Sequence, residues 1–182
     1  MSWIDYKIYA YLFLSPRYVD RIKGLVEGIS DRDYYSKIKN IIEIIDKDYD
    51  KFATEFTSCF INDFKHVKCP PYESWYMEKT IYGKSAQEVL EEYLKYGIYP
   101  QKQLPDHIAT EMEFVSYLFF IKEEKKANAF IINHILNWTP KLVDDIIKHS
   151  HGEYAKLIGE SLKSLIESES KRISYSQQEV MQ

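Results

Sequence analysis

Apolar residues recur every three or four positions along most of the chain, which is the period of an α-helix that buries one face. Between residues 33 and 46 this stripe comprises Tyr34, Ile38, Ile41, Ile42 and Ile45. Further stripes predict helices at residues 2–14, 18–29, 52–60, 85–97, 106–122, 130–138, 142–147 and 154–165. We find no segment with the strict alternation of a half-buried strand. The pattern therefore predicts an all-α fold of about eight or nine helices.

Prolines and capping residues indicate where some of these helices begin and end. Pro70 and Pro71 predict a loop, because a proline pushes the residue before it out of helical geometry and lacks a backbone donor. Ser85 and Glu88 fit a capping box at the start of a helix. We expect the helix at 130–138 to end at the Thr-Pro pair that finishes with Pro140.

The length and composition favour one helical domain. At 182 residues the chain has room for a single core. Six glycines and six prolines are too few for a turn-rich sandwich or barrel. We assign residues 1–168 to this domain. Residues 169–182 lose the apolar period, so we expect them to form a flexible tail.

The charge and the apolar runs exclude several kinds of partner. A formal net charge of −4 gives no basic surface for a nucleic acid backbone. No apolar run approaches the ~18 residues of a membrane span, and the N-terminus lacks the features of a signal peptide. Neither of the common glycine-rich phosphate loops occurs. We therefore expect a soluble, cytoplasmic protein with reduced thiols and with no nucleic acid partner and no membrane span.

Metal and cofactor sites find little support in the spacing of possible ligands. Cys59, His66 and Cys69 contain an H-x-x-C, and His149 and His151 lie close together, but no spacing typical of a zinc site is complete. Two cysteines do not make a disulfide scaffold in a chain of this size. We expect no bound metal, no cofactor and no required disulfide.

Two segments depart from the helical pattern, and we look for function there. In CPPYESWYMEK, at residues 69–79, three aromatic residues follow a stiff proline pair, namely Tyr72, Trp75 and Tyr76. Such side chains offer a large contact area at low entropic cost, which suits an apolar peptide. The alternative is that they pack the loop onto the core.

In the second segment, LPDHIATEMEF, Asp106 is placed to cap a helix on which His107 and Glu111 share one face. A histidine with a nearby carboxylate can act as a general acid or base. The same residues can also form a cap beside a surface or hydrogen-bonded histidine. We interpret His134 and Trp138, four positions apart on an otherwise apolar helix, as core residues.

Taken together, the segments P-P-Y-E-S-W-Y, L-P-D-H-I-A-T-E-M-E-F and F-I-I-N-H-I-L-N-W-T-P-K-L resemble, in order and spacing, the TorD/DmsD/NarJ family of redox-enzyme maturation chaperones. The resemblance covers residues 56–147. The specific element P-D-H-I-x-x-E-x-x-F is carried by Pro105, Asp106, His107, Ile108, Glu111 and Phe114. The supporting element P-Y-E-S-x-Y is carried by Pro71, Tyr72, Glu73, Ser74 and Tyr76.

The resemblance implies a cytoplasmic, all-helical and non-catalytic chaperone for a molybdopterin oxidoreductase of the dimethyl sulfoxide reductase type. Such chaperones hold the catalytic subunit of the client until its cofactor is loaded. Many bind a twin-arginine leader peptide to delay export, and others serve clients that keep only a remnant of this leader. The resemblance implies a protein partner and is compatible with a monomer or a dimer. We assign no guanine nucleotide, since the chain has no phosphate loop.

The resemblance and the residue chemistry together give a set of client-binding residues. This set is Pro71, Tyr72, Glu73, Ser74, Trp75, Tyr76, Pro105, Asp106, His107 and Glu111. A twin-arginine leader is a basic pair followed by an apolar stretch, so the carboxylates of the set are expected to meet the arginines and the aromatic residues to meet the apolar stretch. We therefore expect both segments to share one concave surface, and client affinity to fall as salt rises.

Two other functions stay open at this point. A small hydrolase would use Asp106 and His107, although the sequence shows neither a nucleophile elbow nor an activated cysteine. A helical scaffold would bind some other partner helix in a groove. A pull-down from the native host distinguishes two of these functions. Capture of a molybdoenzyme subunit supports the chaperone, and capture of an unrelated protein supports the scaffold.

Overall fold

Ten α-helices make up most of the computed structural model, which describes residues 1–62, 67–150 and 152–180, with side chains through residue 175. They are α1 (Trp3–Leu14), α2 (Val19–Lys23), α3 (Tyr35–Lys47), α4 (Tyr49–Phe56), α5 (Glu73–Glu78), α6 (Lys84–Leu94), α7 (Ile108–Phe120), α8 (Glu124–Phe130), α9 (Leu136–His149) and α10 (Glu153–Val180). Short 3-10 turns at Pro16–Tyr18 and Val26–Ile29 flank α2, and a π turn at Thr57–Ile61 extends α4. No strand occurs within these ranges, so the predicted all-α fold is confirmed.

A π turn at Ile131–Ile135 joins α8 and α9 into one continuous helix, so the described part of the chain has nine helices when the two are counted together. This helix runs through Pro140, which corrects the expectation that it ends there. A proline ring clashes with the carbonyl four residues earlier, and we attribute its tolerance here to the wider π turn directly before that carbonyl. The Thr139 hydroxyl also donates to the Ile135 carbonyl at 2.6 Å, which keeps one acceptor of this turn paired.

The last helix, α10, continues past Ser168, where the loss of apolar period predicts its end. Glu169 and Ile173 are both buried in this part of the helix. The Arg172 guanidinium donates to the Glu169 carboxylate and to the side-chain oxygen of Asn128. Polar contacts therefore attach this segment to the rest of the protein, and an apolar pattern cannot reveal contacts of that kind.

The start of α6 also differs from the expected capping box. The N-cap position is occupied by Gly83, and the Ser85 hydroxyl donates to the carboxylate of Glu78 at the end of α5. Glu88 instead forms an ion pair with Lys84 at 2.9 Å. The helix α5 itself lies within a segment that the proline pair marks as a loop. Ser85 thus ties α6 to α5 rather than closing its own first turn.

The helices α1 and α7 carry apolar residues on most of their faces, which is typical of helices that are surrounded by protein. They pack mainly against each other. The helix α10 lies against α9, α3 and α4, while α5 is held between α6 and α9. One cluster of buried apolar residues runs through all of these contacts. The short helix α5 is therefore fixed from two sides, which matters for the site below.

A buried carboxylate fixes the position of α1. Asp5 accepts hydrogen bonds from the backbone N–H of Ser2 at 2.6 Å, from Arg32 Nε at 3.0 Å and from the Tyr34 hydroxyl. Burial alone would raise the pKa of Asp5, but these hydrogen bonds hold it below its usual value. The N-terminal helix is thereby joined to the segment that leads into α3.

A close approach between α9 and α10 at Gly159 generates a stability prediction. A Cβ atom at Gly159 would lie 2.7 Å from Cγ2 of Ile146, which is closer than packed side chains allow. We expect Gly159→Ala to lower the free energy of unfolding by about 1 to 3 kcal/mol through overpacking, as measured by urea unfolding.

Gly24→Ala is the matched control for this variant. Its backbone is already helical, and a Cβ atom there would meet nothing closer than the Arg21 carbonyl oxygen at 3.6 Å. The substitution should raise stability by up to about 1 kcal/mol, because it restricts the unfolded chain. Equal effects of the two variants would contradict the close contact at Gly159.

Candidate functional site

The two segments singled out in the sequence meet at one point of the structure. Tyr72 and His107 face each other across a single antiparallel bridge. The Ile108 N–H donates to the Pro71 carbonyl at 2.9 Å, and the Glu73 N–H donates to the Asp106 carbonyl at 3.0 Å. Because α5 begins at Glu73 and α7 begins at Ile108, these two bonds hold the starts of both helices against each other.

Asp106 caps α5, although its sequence position predicts that it caps α7. Its side chain is fully buried, and one carboxylate oxygen accepts from both the backbone N–H of Ser74 at 2.9 Å and the Ser74 hydroxyl at 2.5 Å. The other oxygen, Oδ1, has no hydrogen-bond partner in the described part of the chain. A tertiary contact between the two segments has therefore replaced the local cap.

His107 takes over the cap of α7. Its Nδ1 accepts from the Ala109 N–H at 3.1 Å, so we place the ring proton on Nε2. Burial lowers the pKa of His107 to about 4, and the ring is therefore neutral at physiological pH. The Tyr72 ring stands edge-on to the imidazole with 5.2 Å between the ring centroids.

A hydrolytic pair of Asp106 and His107 is not formed. General-base histidines of this kind donate their second ring N–H to a carboxylate. Here Nδ1 of His107 is an acceptor, and the Asp106 carboxylate is bonded to Ser74 instead. The geometry on which the hydrolase alternative depends is therefore missing at these two residues.

Two further carboxyls lie beneath this junction, and they bring in residues that the sequence analysis interprets as core. Glu73 contacts Nδ1 of His134 at 3.0 Å, and Glu111 accepts from Nε1 of Trp138 at 3.1 Å. Burial, and then the charge of Glu73, raises the pKa of Glu111 well above its usual value. The sequence shows His134 and Trp138 only as a pair of residues within an apolar stripe. It does not show their carboxyl partners, because these lie far away along the chain.

These carboxyls are buried in the structure, whereas the sequence analysis expects them to meet the arginines of a client. Asp106 and Glu111 have no exposed surface, and Glu73 is 3% exposed. A guanidinium group from a bound peptide cannot reach a fully buried carboxyl while these packing contacts are kept. Of the expected client-binding set, Pro71, Ser74, Tyr76 and Pro105 are buried as well. They lie beneath the surface rather than on it.

The surface above them is an apolar groove with a volume of about 550 Å³. Three residues of the expected set line it, namely Tyr72, Trp75 and His107. The other lining residues are Phe13, Leu14, Phe56, Phe60, Ile61, Val67, Pro70, Ile81 and Gln103. The two segments thus share one concave surface, as their chemistry predicts, but of the expected set only Tyr72, Trp75 and His107 reach it. This surface is called the client groove below.

Most of the groove residues were missed because their sequence pattern is that of ordinary core. Phe56 and Phe60 belong to an apolar stripe, and the helix-like pattern does not show which side remains open. Ile61 and Ile81, at the edge of the groove, are 57% and 47% exposed, respectively. Exposed aliphatic residues beside a cavity indicate a surface that is built for contact.

The structure gives limited information on metals and membranes. The described residues contain no group of three or more histidine, cysteine, aspartate and glutamate side chains that would hold a metal ion. His66 and His151, which the sequence analysis weighed as ligands, lie outside the described residues. Within the described ranges, no helix is both long and apolar enough to cross a membrane.

Glu111 generates a prediction on the pH dependence of stability. Its raised pKa means that the folded protein keeps a proton which the unfolded chain loses near pH 4.3, so stability falls as pH rises above that value. This one group contributes a slope of up to about 1.4 kcal/mol per pH unit. Glu111→Gln keeps an acceptor for Trp138 and removes the titration, so the variant should gain stability over wild type from pH 5 to pH 8.

Denaturant unfolding at the two pH values measures this difference. Glu91→Gln, which changes an exposed carboxyl on α6, is the matched control and should follow wild type. If Glu111→Gln and wild type lose stability in parallel between the two pH values, Glu111 does not titrate in this range.

Comparison with known proteins agrees with the fold, and the matching region includes both motif segments. The sequence profile of the nitrate reductase delta subunit family matches residues 31–144, which is more than half of the chain. A solved structure from Archaeoglobus fulgidus, described as a redox enzyme maturation protein, superposes with a TM-score of 0.69 at 25% identity, covering 91% of this chain and 94% of that one. No curated protein sequence matches this chain. The resemblance found in the sequence is confirmed, and the chain belongs to the nitrate reductase delta subunit family of NarJ- and TorD-like chaperones.

Proposed function

We propose that this protein is a redox-enzyme maturation chaperone that binds a segment of the catalytic subunit of a molybdopterin oxidoreductase in the client groove. Membership of the nitrate reductase delta subunit family supports the general role. The Archaeoglobus fulgidus protein, described as a redox enzyme maturation protein, supports it further. The single observation that carries the proposal is the open apolar groove built directly on the two family motifs.

The chemistry of the groove fits an apolar peptide. Aromatic and aliphatic side chains provide most of its lining, and burying such surface stabilises a complex by roughly 25 cal/mol per Å² before the costs of association. Gln103 and His107 are the polar side chains among its lining residues. His107 lines the groove, and with its Nδ1 occupied as an acceptor its Nε2–H can donate to a backbone carbonyl of the peptide.

The apolar stretch of a leader peptide is the part that this groove accommodates. A leader carries its arginine pair before that stretch, and the buried carboxyls of Asp106 and Glu111 do not reach the surface. We therefore place the arginine pair outside the groove, where its contacts are screened by solvent and salt. A client that keeps only a remnant leader binds through the same apolar contacts.

Holding the client during cofactor insertion follows from the same geometry. The groove covers an apolar segment that would otherwise be exposed on an unfinished subunit, where it would favour aggregation or early export. The chaperone then needs no cofactor of its own, and release requires only that the client folds this segment away. The client is of the dimethyl sulfoxide reductase type in this proposal.

Trp75 provides the first test of the proposal. It is half-buried and lines the groove, so its truncation should remove contact area without emptying the core. We expect Trp75→Ala to weaken binding of a leader peptide by at least about tenfold, the scale of an aromatic anchor in an interface. Calorimetric titration with a leader from the molybdoenzyme encoded nearest this protein measures the affinity.

Tyr175→Ala is the matched control, since Tyr175 is an aromatic residue on α10 that is 70% exposed and does not line the groove. It should bind the peptide as wild type does. Both variants are first checked for unchanged unfolding midpoints. Equal affinities of wild type and a folded Trp75→Ala variant would remove the groove from the binding surface.

Salt dependence provides a second test, with a result opposite to the one predicted from sequence. Because the carboxyls are buried, raising sodium chloride from about 50 to 500 mM should change the affinity for the leader by less than about threefold. A leader whose two arginines are replaced by glutamine is the matched control and should show a similar affinity. A large loss of affinity in high salt for the arginine leader alone would show that a carboxylate of the protein meets the arginine pair.

A further inference from the structure

The two cysteines of the chain lie side by side beneath the client groove. The Cys69 N–H donates to the Cys59 carbonyl at 3.0 Å. Both side chains are buried and carry free thiols, and the Cys59 thiol is close enough to that of Cys69 to raise its pKa. One backbone hydrogen bond places the two residues directly beside each other, and a disulfide requires Cα atoms within about 4.4 to 6.8 Å.

Each cysteine directly precedes a residue of the groove wall. Phe60 follows Cys59, and Pro70 follows Cys69, and both line the client groove. A covalent bond between the two sulfurs would therefore tie two separate segments of this wall to each other. The chain has two cysteines in all, so an intramolecular disulfide has this one possible pairing.

A small molecule can reach the pair through a second cavity. Cys59 lines a cavity of about 220 Å³, together with Ser58, Lys68 and His149. Cys69 is not among the residues that line it, and its side chain has no exposed surface. An oxidant in this cavity therefore lies beside Cys59, and Cys69, which lies behind it, is placed to react second.

We propose that Cys59 and Cys69 form a reversible disulfide, with a low-molecular-weight disulfide as the oxidant, and that this bond restrains the wall of the client groove. The Cys59 sulfur attacks the oxidant and forms a mixed disulfide, which releases one small thiol. The Cys69 sulfur then displaces the second small thiol. The two cysteine protons leave on the released thiols, and the pair loses two electrons to the oxidant.

The environment of Cys69 slows the second displacement. Its hydrogen bond with Cys59, and then its burial, raise the pKa of the Cys69 thiol. Because the thiolate is the attacking species, the second displacement is slow in the folded protein. The mixed disulfide at Cys59 should therefore accumulate before the intramolecular bond closes. This modification site extends beyond the proposed function and does not depend on it.

The test uses the full chain and oxidised glutathione as the probe. Wild type should pass through a single glutathione adduct and end as a monomer that has lost two hydrogens and has no free thiol after unfolding, by intact mass and thiol titration. Dithiothreitol should restore both thiols. A final product with persistent adducts, with two free thiols or with intermolecular dimers would overturn the proposal.

Single serine variants test which of the two cysteines reacts first. Cys69→Ser should stop at the glutathione adduct on Cys59, because the resolving sulfur is absent. Cys59→Ser should react at least about tenfold more slowly than Cys69→Ser, since the Cys69 side chain is fully buried and does not line the cavity. Equal rates for the two variants would contradict the assigned order, and the wild-type result stands on its own if either variant fails to fold.

Hydrogen exchange tests the restraint of the groove wall in wild type. Amide exchange at Phe60 and Ile61 should slow by at least about threefold on oxidation, because the bond limits local opening of this segment. The amides of α6, which carries neither cysteine, serve as the internal control and should exchange alike in both states. Unchanged exchange at Phe60 and Ile61 in fully oxidised protein would overturn the structural part of the proposal.

Discussion

The reciprocal capping of α5 and α7 is the constraint on which the site depends. The first amides of a helix have no partner within the helix, and here each helix obtains its partners from the junction of the two motifs. The Asp106 carbonyl and carboxylate accept from the first two amides of α5, while the Pro71 carbonyl and the His107 ring accept from those of α7. Two backbone bonds and two side-chain bonds thus satisfy four amide donors at the helix starts. Together they fix the floor of the groove.

Three carboxyls are buried beneath this floor, and burying them away from water costs free energy. Asp106, Glu73 and Glu111 are almost completely buried, and an unpaired buried charge is strongly unfavourable. The protein lowers this cost with specific partners, which are Ser74 for Asp106, His134 for Glu73 and Trp138 for Glu111. The raised pKa of Glu111 lowers it further, because a neutral carboxyl avoids repulsion from Glu73. These polar groups are paired with one another beneath the floor, and the groove above them is mainly apolar.

The features that could be predicted from the sequence are those set by local patterns. Apolar spacing predicts the helices, and the family motifs predict that residues near Tyr72 and His107 share a surface. The sequence could not show that Asp106 caps α5 instead of α7, because this choice depends on a contact across the fold. Nor could it show that Pro140 lies inside a helix, since a π turn with no sequence signal of its own precedes it.

Support of the junction and lining of the groove are consequently assigned largely to different residues, with His107 contributing to both. The capping bonds involve Asp106, Ser74, backbone groups and the His107 ring, and of these side chains only His107 lines the groove. The lining comes largely from elsewhere, including Phe13 on α1 and Phe56 on α4. Substitutions at such lining positions would reshape the groove while the capping bonds persist. Apolar contacts tolerate sequence variation in a bound segment, so under the proposed function discrimination between clients rests on the shape of this lining rather than on paired charges.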